Sequence, residues 1–369
     1  MKQLIFGIWV CLMFLIVTAT AGAQATQQIT DAAGRTLVIP EKIDHIICSG
    51  PGCLRLVSYL GAQNLVVGVD DIETRNNQFD ARPYAFANPQ FKHLPIFGGF
   101  RGQDVPEKII SLSPLPQVIF KVSSAAGVDP VKLSKKTGIP VIILEYGDLG
   151  HKRQDFYQAL TILGQALNRQ DRALELIAFF DSQIQQLESR TNNIPDTEKK
   201  TCFVGGIAFK GPHGFQSTEP GYPPFQFVNA KNIARPSKTE KILAQSNFSK
   251  EKMLILDPEV LFLDLSTLQM GEDQGGLYEL KTDPVFQGLT AVGKKQVYGV
   301  LPYNWYSQNF GSILADAWFI GKILYPEQFS DIVPDQKADE IYTFLLSKPL
   351  FEQMNAAFKH LAFKRIDLN

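Results

Sequence analysis

The chain has 369 residues, with 36 Lys and Arg against 37 Asp and Glu and a formal net charge of −1. That balance excludes a dedicated nucleic-acid binder, which needs a basic face to meet phosphates. A hydrophobic content of 45% without a low-complexity tract supplies enough apolar material for two buried cores in a chain of this length.

Residues 1–25 read as a secretory signal peptide: Lys2 supplies the positive start, Leu4 to Val17 is apolar, and Ala21-Gly22-Ala23 and Ala23-Gln24-Ala25 are small-x-small cleavage sites. A membrane anchor would need about 20 apolar residues, whereas Thr18 and Thr20 begin a polar exit here. Cys11 lies inside the apolar run, not after a lipoprotein-type tripeptide. The reading is an exported, periplasmic chain cut near Ala23 to Ala25. Cys48, Cys53 and Cys202 then remain, and Cys48 and Cys53 are open either to a disulfide or to two buried thiols.

Residues 26–168 read as an α/β lobe. A hairpin opens it over Gln28 to Pro40, a strand follows at His45 to Cys48, and the turn Ser49-Gly50-Pro51-Gly52 leads into a helix from Cys53 to Leu60. Strands are expected at Leu65 to Val69, at Leu94 to Phe100, over Gln117-Val118-Ile119-Phe120 and at Val141 to Leu144. Helices are expected at Val131 to Thr137 and Gln154 to Leu167. Residues 169–196 hold an amphipathic helix, Gln170 to Arg190, with no Gly or Pro, and a polar linker. Residues 197–369 repeat the plan, starting with the strand Thr201 to Gly206, then Glu259 to Leu263, Gln296 to Val300 and a helix near Ser312 to Leu324.

One phrase occurs in both halves. Pro106-Glu107-Lys108-Ile109-Ile110 and Lys250-Glu251-Lys252-Met253-Leu254 each read as a short helix with an acidic first turn, and each precedes a buried strand. Glutamate at that position offsets the helix dipole in any surface helix; paired across two lobes, it also matches a two-sided partner. The fold class is therefore α/β, two similar lobes with buried parallel strands and a long helix between them.

The order of these pieces, with Asp283 to Tyr298 and Leu324-Tyr325-Pro326-Glu327-Gln328-Phe329, resembles the substrate-binding proteins of ABC importers for iron chelates, heme and cobalamin. The resemblance implies two Rossmann-like lobes with central parallel sheets joined by a single long interlobe helix, a ligand held between them, limited closure, no catalysis and no cofactor. It also implies a monomer that docks on a permease dimer through one acidic residue per lobe, at Glu107 and Glu251. Ligand contacts then fall on strand-to-helix loops. These are Ser49, Gly50 and Pro51, with backbone N–H groups for an anion; Phe100 and Arg101 after the Gly98-Gly99 turn; and Tyr303, Trp305 and Tyr306 across the gap. The stretch Lys210 to Phe225, Gly/Pro-rich and containing Tyr222, is longer than relatives carry and is a candidate for specificity.

Other readings find less support. The five histidines at 45, 93, 151, 213 and 360 are scattered, and phosphate-loop, dinucleotide and Gly-x-Ser-x-Gly patterns are absent. A receptor for free zinc or manganese would draw its ligands from Asp70, Asp71, Glu73, His213 and Asp264. An exported structural or adhesive module would bind no small molecule.

Overall fold

A computed structural model describes residues 25–122, 127–236 and 242–368. The proposed leader, apart from Ala25, lies outside them.

Two parallel sheets organise the molecule. The first has the strand order 103–104, 96–99, 66–70, 46–49, 118–122, 141–144, parallel except at the Gln103–Asp104 edge. The second has the order 231–232, 201–205, 260–264, 297–300 and is parallel throughout. Apolar runs such as Ile46-Ile47, Val118-Ile119-Phe120 and Val260-Leu261-Phe262-Leu263 are buried, as strands covered on both faces require. The repeated short helices hold equivalent places. Each precedes an inner strand, 118–122 or 260–264, flanked by the first strand in sequence of its own parallel sheet, 46–49 or 201–205, and by a later one.

The lobes are joined by the 22-residue helix Gln170–Thr191, about 33 Å long at 1.5 Å per residue. Its buried face is Ala173, Leu176, Phe180, Ile184 and Leu187, spaced three or four apart as a one-sided helix demands. A second tie was not read from the sequence. The helix Pro334–Leu346 near the C-terminus returns to the first lobe, beside helices 53–59 and 83–87: beyond its end Lys348 Nζ donates to the Ala87 carbonyl at 2.5 Å, and the Phe344 carbonyl accepts from the guanidinium of Arg172 on the spine. Phe344 also stacks on Phe179 of the spine with ring centres 3.9 Å apart.

Cys48, Cys53 and Cys202 are buried free thiols, which settles the open question at Cys48 and Cys53. Cys53 instead donates to the Phe120 carbonyl at 3.4 Å.

Candidate ligand cleft

A cavity of about 470 Å³ lies between the lobes, within the usual range for a small-molecule site. Its lining comes from segments that follow strands. Pro51 and Ile72 come after strands 46–49 and 66–70, and Phe100 and Arg101 after 96–99. Ala208 to Pro212 follow 201–205, Gln269 follows 260–264, and Asn304 to Ser307 follow 297–300. Ligand loops beyond the carboxyl ends of strands are what open α/β sheets provide.

The lining is cationic and aromatic. Arg75, Arg101 and Lys210 border it, and no Asp or Glu does. The Phe100 ring meets two guanidiniums, its centre 5.2 Å from that of Arg75 and 4.9 Å from that of Arg101. Its ring centre is 6.3 Å from Tyr306. Asp71, behind the wall, accepts from Arg75 at 2.6 Å and from the Phe100 backbone N–H at 2.8 Å, so it fixes both without entering the cavity. Four lining residues that are not glycine, Arg101, Lys210, Tyr306 and Ser307, have φ between 47° and 69°. Left-handed backbone at such residues costs roughly 1–3 kcal/mol and persists only where surroundings impose it, as at ligand sites.

The Trp305 wall is anchored across the lobes. Arg55, fully buried on helix Cys53–Tyr59 of the first lobe, donates to the carbonyls of Gln308 at 2.8 Å, Trp305 at 3.2 Å and Tyr306 at 3.4 Å. Tyr146, also in the first lobe, donates to the Gln308 carbonyl at 2.6 Å. The Tyr306 hydroxyl donates to Asp70 and accepts from the Arg101 N–H at 3.2 Å. Burial pushes the Asp70 carboxyl well above the usual carboxylate range, the Tyr306 hydrogen bond opposes that push, and Asp104 and Glu73 add to it. Gly52 makes this packing possible: its φ is 82°, and a side chain there would meet the Tyr146 ring.

Of the residues expected to touch ligand, Pro51, Phe100, Arg101, Trp305 and Tyr306 line the cavity. Ser49, Gly50, Tyr222 and Tyr303 do not. Ser49 is buried and donates to Asp104 at 2.5 Å, while accepting from Lys121 at 3.0 Å. The Gly50 N–H faces Asp70 at 3.3 Å, so an anion there would meet a carboxyl. Tyr222 packs in the core of the second lobe, and the Tyr303 hydroxyl donates to buried Glu219. In the long segment after Lys210, Phe215, Tyr222 and Phe225 are core; only its beginning faces the cleft. Arg75 and Phe209 were missed by the sequence reading. The signal for Arg75 was its spacing, four residues after Asp71, at the end of a strand-following turn.

The residues considered for a free metal ion do not converge. Glu73 is held by Arg82 at 2.8 Å and Tyr84 at 2.6 Å, His213 contacts the Phe209 carbonyl at 2.8 Å, and Asp264 is buried beside Ser266. Among the described residues no group of three or more His, Cys, Asp or Glu is placed to hold an ion.

Residues 46–303 match the periplasmic binding protein family. The chain belongs to that family. An uncharacterized ABC transporter substrate-binding lipoprotein of Bacillus subtilis, YvrC, is 24% identical over 213 residues, 54% of this chain and 62% of that protein. The iron-uptake system-binding protein of the same organism is 20% identical over 193 residues, 52% of this chain and 54% of the other. The chain thus spans between half and two thirds of the length of these curated relatives. A periplasmic solute binding protein from Veillonella parvula superposes with a TM-score of 0.67 at 15% identity, covering 90% of this binding protein and 97% of the other; that likeness concerns the fold.

Proposed function

We propose that this binding protein is exported, captures an anionic metal chelate of the ferric-siderophore or heme kind in the interlobe cleft, and delivers it to an ABC importer. The observation that carries the reading is the lining: three cations and four aromatic side chains, Phe100, Phe209, Trp305 and Tyr306, around about 470 Å³, without a carboxylate. Flat or multi-ring chelates present faces for aromatic contact, and their negative charge suits guanidinium and ammonium groups. A free divalent cation would need carboxylate or imidazole ligands, and that lining offers none. One relative, the iron-uptake system-binding protein of Bacillus subtilis, agrees by its name with this class.

Delivery rests on Glu107 and Glu251, both exposed and at equivalent places in the two lobes. Charge reversal at both positions leaves chelate affinity near normal and abolishes uptake, because like charges then meet in the docked complex. Transport by the double Glu107→Lys, Glu251→Lys protein at the normal rate would remove this role. Capture itself is tested by native mass spectrometry, with metal analysis, on protein purified from its source organism. The expected result is a one-to-one adduct whose mass is that of a metal chelate; bare zinc or manganese would favour the free-ion reading.

A further inference from the structure

The two short acidic helices share more than their glutamates. In Glu107-Lys108-Ile109-Ile110 and Glu251-Lys252-Met253-Leu254 the first, second and fourth residues are exposed and the third is buried. Ile109 and Met253 are fully buried and explain themselves as core anchors. Ile110 and Leu254 do not: they stand one turn after each glutamate, 52% and 44% exposed. Residues three apart on a helix share a face, so each lobe presents a carboxylate with an aliphatic side chain beside it. Of the thirteen exposed large apolar side chains among the described residues, six lie within eight positions of Glu107 or Glu251. Ile255, 82% exposed, enlarges the second patch, where Ser111 stands in the first.

We infer that each glutamate is half of a two-part contact, and that Ile110 and Leu254 fill an apolar socket beside a cation on each half of a two-fold membrane permease. The inference rests on the delivery role proposed above. The occupant follows from the duplication. A patch repeated on two equivalent lobes fits a partner that repeats its own site about a two-fold axis. Lys250, beside Glu251 in the chain, pairs with Asp283 at 2.5 Å instead, and the exposed carboxylates of Glu107 and Glu251 make no ion pair within 4 Å among the described residues. The aliphatic part supplies affinity that salt does not screen, and the carboxylate supplies orientation and association rate.

The test uses the mature chain, fluorescently labelled, titrated onto right-side-out membrane vesicles from its source organism and onto liposomes of the same extracted lipids. Ile110→Ser and Leu254→Ser alter exposed positions, so their thermal midpoints should match the parent. Each is expected to weaken vesicle binding by on the order of tenfold, the worth of one buried aliphatic side chain, with chelate binding unchanged and the weakening still present at high salt. Photo-crosslinkers at positions 110 and 254 should both mark the same integral membrane subunit. Vesicle binding by the double serine variant equal to the parent, while Glu107→Lys with Glu251→Lys abolishes it, would overturn the apolar half and leave the delivery role standing. Failure of the parent itself to bind vesicles would overturn both. Equal binding to protein-free liposomes would assign the patches to lipid, and a parent dimer dissolved by the serine variants would assign them to a second copy; either result overturns the inference.

Discussion

Two loops of the second lobe face the same cleft and are held in opposite ways. Loop 303–309 belongs to that lobe by chain, yet Arg55, Tyr146, Asp70 and the Arg101 backbone of the first lobe hold it by hydrogen bonds. Loop 208–212 contacts its own neighbours: the Phe209 N–H donates to the Gly211 carbonyl at 2.9 Å, and Asn304 donates to the Ala208 carbonyl at 3.2 Å. Among the described residues, none of its hydrogen bonds reaches the first lobe. Membership of a lobe in sequence is therefore not mechanical membership. The Trp305 wall is tied to both lobes, by these bonds to the first and by Asn304 and Tyr303 to the second, whereas the hydrogen bonds of loop 208–212 stay within the second lobe among the described residues.

The sharpest way to break that comparison is Arg55→Ala. It strands buried carbonyls of the fixed loop at a cost of roughly 1–3 kcal/mol for each one left unsatisfied, so urea denaturation should show a loss of about 3 kcal/mol or more. Lys210→Ala, on the other loop, should leave stability within about 0.5 kcal/mol of the parent. On ligand affinity, Trp305→Ala is expected to cost roughly ten- to a hundredfold through lost aromatic burial. Lys210→Ala should cost less and should flatten the salt dependence of binding.

Tyr306→Phe is a smaller cut in the same wall. It removes the hydroxyl from Asp70 and should destabilise by about 1–2 kcal/mol, measurable as a lower midpoint. The smallest effect concerns the buried support under Tyr303. Burial raises both Glu219 and Asp264 to about 7, with hydrogen bonds from Tyr303 and Ser266 respectively opposing it. Because the folded state holds these protons and the unfolded chain releases them nearer pH 4, stability is greatest at the acidic end and falls as pH rises toward 7. Thermal midpoints between pH 5 and pH 7.5 should decline, and Glu219→Gln should flatten that decline.

The lobes and the spine were legible because they are local: an uninterrupted amphipathic helix over 170–190 and continuous apolar strands leave few other solutions. Phe100, Arg101 and Trp305 were legible because strand-following loops in such sheets converge. Ser49 and Tyr303 misled for the same reason, since their loops reach the cleft while their side chains turn away to Asp104 and Glu219. Nothing in the sequence near position 55 marks an arginine that caps carbonyls about 250 residues later; Arg55 sits among Leu54, Leu56 and Val57 and is legible only in three dimensions. The tie made by Pro334–Leu346 was missed because its apolar face serves both lobes.

The account stands most directly on the fluorescence of Trp305. The described residues hold two tryptophans, Trp305 and buried Trp318, so titration with a ferric catecholate, a ferric hydroxamate and hemin, beside zinc and manganese ions, reports on the cleft. The predicted result is saturable one-to-one quenching by at least one of the anionic chelates, weakened by salt and largely absent in Trp305→Phe. Saturation by zinc or manganese alone, or chelate quenching that survives intact in Trp305→Phe, would contradict it.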